Sequence, residues 1–208
     1  MDTLQNQILI RVHRQGSGGV FTPKDFLDLG SRDAVDQALS RLVRKDQLQR
    51  LARGLYYFPR INARFSIVVP PDADQIAHAI GRQTGSRVVP SGAVAANRFG
   101  LTTQVPARPV YFTDGNSRQV RIGDMVFQMK HASPRDFPPG SHTSALVFQA
   151  IRYLGKDAVD DHVINTIRRT LSPRQRTVLL RDGRFATDWI AAVIRRIAAV
   201  EQPEMVHG

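Results

Sequence analysis

Residues 31–59 read SRDAVDQALSRLVRKDQLQRLARGLYYFP, and the fold turns on how this stretch is read. Val35, Leu39, Leu42 and Val43, with Ala38, recur at helical spacing. Ser31 precedes them in the position of an N-cap, so the pattern predicts a helix over 32–46. The opposite face of that helix carries Arg32, Asp33, Asp36, Gln37, Ser40, Arg41 and Arg44. Residues 47–52 and 55–58 then read as two short strands joined at Arg53-Gly54, where glycine suits the positive φ of a tight turn. Pro59 stops the second strand.

Upstream, Leu4, Ile8 and Val12 predict an amphipathic helix over 3–15, ended by Gly16-Ser17-Gly18-Gly19. That glycine run lacks the Lys-Ser/Thr of a phosphate loop and reads as a turn. Thr22 caps a short helix that opens with Pro23, and Asp25 complements its dipole. Phe26, Leu27 and Leu29 are its expected buried side. Helix, short helix, turn, longer helix and basic hairpin is the order of a winged helix-turn-helix. In such a domain the polar face of the longer helix enters the DNA major groove.

The expected DNA-contacting residues are Lys24, Arg32, Gln37, Ser40, Arg41 and Arg44, with Arg50 and Arg53 on the wing reaching phosphates or the minor groove. Asp33 and Asp36 count against phosphate contact unless they orient arginines or accept from a cytosine amine. Of the rings beside Arg53, Tyr57 is the exposed one if Tyr56 and Phe58 point inward. The competing reading is a winged helix used for protein contact.

Charge agrees with a polyanionic partner. The 208 residues hold 29 Lys and Arg against 18 Asp and Glu, a net charge of +11, and the excess is spread along the chain. An arginine-favouring genome would give the same bias, so the fold must carry the argument. With no cysteine, disulfide frameworks and thiolate zinc sites are excluded, which fits the cytoplasm. No apolar run approaches the ~20 residues that span a bilayer, so no membrane partner is expected. The polar start is not expected to be a signal peptide.

Beyond the hairpin, 61–71 reads as a linker with a short strand, closed by two prolines. Ile76, Ala77 and Ile80 mark a helix after Asp72-Ala73-Asp74, and 87–89 is a strand. Ser91 caps a small-residue helix to Arg98. Strands at 109–113, 119–122 and 125–131 form a three-stranded antiparallel meander around Asp114-Gly115-Asn116-Ser117. A Pro/Ser-rich loop over 133–140 leads to an all-helical end, with helices at 143–154, 157–171, 173–181 and 188–200. The fold class is α+β: a winged helix-turn-helix over 1–60, a linker over 61–71, a mixed α/β domain over 72–202 and a tail over 203–208.

Three stretches carry a family resemblance: Arg53-Gly54-Leu55-Tyr56-Tyr57-Phe58-Pro59, Pro90-Ser91-Gly92-Ala93-Val94-Ala95-Ala96-Asn97 and Tyr111-Phe112-Thr113-Asp114-Gly115. In this order they resemble the AbiEi-like antitoxins of type IV toxin–antitoxin systems, in a short bacterial branch. The resemblance implies two roles. The winged helix represses the protein's own operon at promoter inverted repeats, with a dimer possible on DNA. The C-terminal domain counters a nucleotidyltransferase-like toxin. A homologue without an adjacent toxin gene would act as a regulator alone. The resemblance supplies no catalytic residue, and neither cofactor nor metal is expected.

The enzyme alternative is a metal-dependent nuclease built on Asp114 and Lys130. There Gln128 stands where an acid is needed, which weakens metal binding. The six histidines show no paired spacing, so zinc is not expected. Arg168-Arg169, Arg174, Arg176 and Arg195-Arg196 form basic clusters in the helical end, read first as a solvated face and second as a further anionic contact.

Overall fold

A computed structural model of the chain describes residues 3–104, 108–133, 137 and 140–199. It is mixed α+β, with helices at both ends and small sheets between them. Contacts divide it into two compact units, Met1–Val88 with Ala107–His131, and Val89–Pro106 with Ala132–Gly208. Each is built by its own core. The expected tail over 203–208 lies outside the described residues, as do parts of the 133–140 loop.

The first unit opens with α1 (Leu4–Gln15), whose Thr3 cap accepts from the Asn6 N–H. Strand β1 (Val20–Phe21) follows, then a 3₁₀ turn over Pro23–Phe26. The Asp25 carboxylate accepts from the Thr22 N–H at 2.8 Å and fixes the start of that turn. Phe26 is fully buried but Leu27 is 43% exposed, against expectation. A single 3₁₀ turn has too little length to present a second apolar side chain to the same core.

Helix α2 (Arg32–Arg44) carries Val35, Ala38, Leu39 and Leu42 on its buried face, as the spacing predicts. Its Ser31 hydroxyl caps the Ala34 N–H. These residues close a core with Ile8, Val12, Phe21, Phe26, Leu48 and Tyr56. Strands β2 (Gln49–Ala52) and β3 (Leu55–Tyr57) form the expected hairpin. β3 also pairs with β1, giving the order β1-β3-β2.

Central placement overturns the expected exposure of Tyr57, which is 1% exposed. A strand covered on both faces has no solvent side for alternation to reveal. The cover on the Tyr57 side comes from the expected linker, which is a hairpin of β4 (Arg60–Asn62) and β5 (Ile67–Val69). The Tyr57 hydroxyl donates to the Val69 carbonyl at 2.6 Å and accepts from the Arg60 N–H at 3.3 Å.

Helix α3 (Ala73–Thr84) belongs to this unit and packs on β1 and the 3₁₀ turn. Its Arg82 pairs with Asp25 at 2.9 Å and donates to the Val20 carbonyl at 2.7 Å. Strand β6 (Val88–Pro90) then carries the chain into the second unit. The chain returns for β7 (Val110–Thr113), β8 (Arg118–Ile122) and β9 (Met125–His131). The buried Tyr111 of β7 donates to Asp74 of α3 at 2.6 Å.

The expected meander is corrected here. The sheet order is β6-β7-β9-β8, and β7 runs parallel to β9 while β8 runs antiparallel to it. The turn after β7 does not close a tight hairpin. Asp114 accepts from the Arg87 N–H at 2.8 Å, while Ser117 accepts from the His131 N–H at 2.8 Å. The chain therefore crosses the end of β9 and lays β8 on its far side, as an edge strand. Turn chemistry at 114–117 is local and does not reveal which strand the chain crosses.

The second unit is helical. Helices α4 (Gly92–Arg98), α5 (His142–Leu154), α6 (Asp161–Thr170), α7 (Pro173–Asp182) and α8 (Asp188–Ala198) bury one cluster that includes Ala95, Leu146, Val147, Ile151, Ile164, Ile167, Ile194 and Ile197. Helix α6 begins later than the expected 157, because Lys156–Ala158 is a 3₁₀ turn and the Asp160 carboxylate caps Val163. Gly92 allows close packing of α4 on α5: a Cβ there would lie 2.9 Å from the Gln149 carbonyl. Ser91 holds the expected cap position of α4, but its side chain makes no cap bond.

Asp182, 2% exposed, accepts from the Ser141 N–H at 2.9 Å and the Ser144 hydroxyl at 2.7 Å. Burial pushes its carboxyl up, yet those bonds and Arg181 outweigh burial and hold it below the ordinary carboxylate range. Its charged form therefore stabilises the fold above the unfolded-state pKa, and that contribution is lost as pH falls through the lower folded value. Asp182→Ala should cost about 1–3 kcal/mol in urea unfolding at neutral pH by leaving buried donors unpaired. The stability gap between wild type and Asp182→Asn should narrow below the ordinary carboxylate range; a gap unchanged at acid pH would reject the assignment.

Candidate nucleic-acid interface

The polar face of α2 is presented by the depth at which its other face is buried. Arg32, Gln37, Ser40, Arg41 and Arg44 are all exposed. At 100° per residue, Ser40, Gln37 and Arg44 lie nearly opposite the Val35–Leu42 stripe, with Arg41 to one side and Arg32 to the other. Arg32 is not a free cation, because it pairs with Asp36 one turn on at 2.8 Å. Asp36 thus orients an arginine, one of the two roles expected for the acids of this face.

Beside α2 lies a cleft of about 670 Å³ within the first unit. Arg32, Asp36 and Ser40 of α2 form one wall, and Arg50, Ala52 and Arg53 of the β2–β3 hairpin form another. Arg118, Gln119 and Arg121 of β8 form the third, with Gln83 of α3, Leu55 and Tyr56 also lining the cleft. Burial of Tyr56 pushes its phenol up. Burial likewise pushes the Arg118 guanidinium down from its ordinary value. Asp36 is the one carboxylate among these lining residues, beside five arginines.

Gln83 joins two of the walls. Its amide donates to the Arg53 carbonyl at 2.9 Å, and its carbonyl accepts from Arg118 at 3.5 Å. Arg118 also donates to the Ile80 carbonyl at 3.2 Å. Gly54 at the hairpin turn has φ +71°, and a Cβ there would sit 2.6 Å from the Gln83 amide nitrogen.

Of the residues expected from sequence, Arg32, Ser40, Arg50 and Arg53 meet in the cleft. Gln37, Arg41 and Arg44 are on α2 but do not line it. Lys24 is elsewhere: it is exposed at the start of the 3₁₀ turn, and a Cβ on Gly85 would lie 3.7 Å from its Nζ. Sequence reasoning missed Gln83, Arg118, Gln119 and Arg121. A basic strand at 118–121 was a visible signal, but its place beside the hairpin depends on the crossing of β9.

The residues of the nuclease alternative sit in the β7–β9 ladder. Gln128 lies opposite Val110 and Lys130 opposite Phe112. Asp114 uses one oxygen on the Arg87 N–H. Among the described residues, no group of three or more His, Cys, Asp or Glu is placed to hold a metal. No helix of the described residues is long and apolar enough to cross a membrane. In the C-terminal basic clusters, Arg168 donates to the Arg196 carbonyl and Arg196 pairs with Asp161, so part of that charge serves helix packing.

Fold and site together define a basic α+β protein with an arginine-lined cleft in its first unit. The chain matches the family of unknown function DUF6088 over residues 7–179 and belongs to that family. No curated protein matches it.

Gly54→Ala should strain the positive φ by about 1–2 kcal/mol and drive the Gln83 amide off Arg53. In a Gln83→Ala background the same substitution should retain the backbone cost but lose the clash. Urea unfolding of the four proteins of this cycle measures the coupling, and strict additivity would reject the contact.

Proposed function

We propose that the protein is a sequence-specific DNA-binding regulator that represses its own operon through an N-terminal winged helix-turn-helix. The observation that carries this is the β1-β3-β2 sheet closed against α1, the 3₁₀ turn and α2, which leaves the Gln37–Ser40–Arg44 face of α2 exposed and its Arg32–Ser40 edge beside a basic hairpin. That arrangement suits a helix lying in the major groove with a wing on the adjacent backbone. A net charge of +11 supports attraction to a polyanion.

The resemblance to AbiEi-like antitoxins adds a second role in this proposal: the C-terminal part counters a nucleotidyltransferase-like toxin. Co-expression with the product of an adjacent nucleotidyltransferase-like gene tests it, and growth arrest unrelieved by this protein would reject it.

For the DNA-binding role, Arg41→Ala or Arg44→Ala should remove about 1–3 kcal/mol of discrimination between operator and scrambled duplex. Mobility shifts measure this, and equal loss on both duplexes would reject groove reading. Arg53→Ala should weaken binding to every sequence and lower the slope of log affinity against log salt by about one.

A further inference from the structure

We propose that β8 is a third wall of the DNA interface, and that Arg118 and Arg121 hold a phosphate of the DNA backbone across the cleft from Arg50. This rests on the DNA-binding reading above and extends it to a strand outside residues 1–60.

Four observations support it. First, Arg50, Arg53, Arg118 and Arg121 line one cleft whose single lining carboxylate, Asp36, is already paired with Arg32 at 2.8 Å. None of these four arginines has an ion-pair partner among the described residues. Uncompensated cations on low-dielectric walls focus a field that a polyanion satisfies. Second, Arg118 is already positioned by the Ile80 carbonyl and Gln83, so less side-chain entropy is lost when it grips an anion. Third, β8 is an edge strand paired only with β9, and it lies close to β2 of the hairpin, which sets its arginines beside Arg50 and Arg53. Fourth, the cleft holds about 670 Å³ and is lined by Ser40 of the polar face of α2, so a backbone phosphate of DNA lying against that face can enter it. The group it takes is therefore a phosphate from the backbone of DNA whose bases α2 reads.

The test uses the full chain and compares wild type, Arg121→Ala, Arg118→Ala/Arg121→Ala and a charge-matched control, Arg169→Ala/Arg174→Ala. Both control residues are exposed in the second unit. Operator binding is measured from low to high salt. The salt slope should fall by about one for Arg121→Ala and about two for the cleft double variant, with the control unchanged. Thermal melting reports whether loss of Arg118 unfolds the sheet; if it does, the exposed Arg121→Ala decides alone. A wild-type slope in Arg121→Ala, with wild type binding DNA, overturns the proposal and leaves the DNA-binding reading intact. Absence of any salt-dependent DNA affinity in wild type overturns both. Tripolyphosphate titration separates the sources of phosphate: variants that lose tripolyphosphate yet keep the wild-type DNA slope would assign the cleft to a free phosphate ligand and overturn the DNA assignment.

Discussion

Gln83 donates to the carbonyl of Arg53 at 2.9 Å and accepts from the guanidinium of Arg118 at 3.5 Å, and the geometry of the cleft depends on that bracket. One amide at the end of α3 fixes a hairpin turn on one side and a strand on the other. The turn can accept it because Gly54 has no Cβ and sits at φ +71°. Arg82, adjacent to it in sequence, ties α3 to Asp25 and to the Val20 carbonyl. The last turn of α3 therefore holds the N-terminal elements and β8 in one unit.

The same unit shows how burial on both faces organises a small sheet. β3 is the middle strand, and Leu55, Tyr56 and Tyr57 are all buried. Tyr56 faces the helical core, while the Tyr57 hydroxyl is satisfied by β4 and β5. The hairpin stays anchored at its base, and its basic residues Arg50 and Arg53 remain exposed. Rigid apolar support beneath exposed cations is what a phosphate-binding surface requires, since the cations otherwise repel one another.

The three stretches that carry the family resemblance act in packing. Gly54 admits Gln83, Gly92 lets α4 approach α5, and Tyr111 donates to the buried Asp74. Asn97 donates to the carbonyls of Thr102 and Gln104, both at 3.2 Å, and ties down the end of its helix. Residues of this kind hold the fold together and identify no ligand. The arginines of the cleft, Arg53 apart, lie outside these stretches.

The local elements were legible from the residues alone. Apolar spacing placed α1 and α2, Ser31 marked a helix start, and Arg53-Gly54 marked the hairpin turn, because each is a contact between near neighbours in the chain. It also identified Arg32, Ser40, Arg50 and Arg53, which the structure brings to one cleft. Long-range packing is what buries Tyr57, makes 60–69 a covering hairpin and carries β8 beyond β9. Those outcomes depend on what packs against a strand from far along the chain, and period-2 patterns carry no record of it. For the same reason Gln83, Arg118 and Arg121 joined the candidate site only when α3 and β8 were placed beside the hairpin.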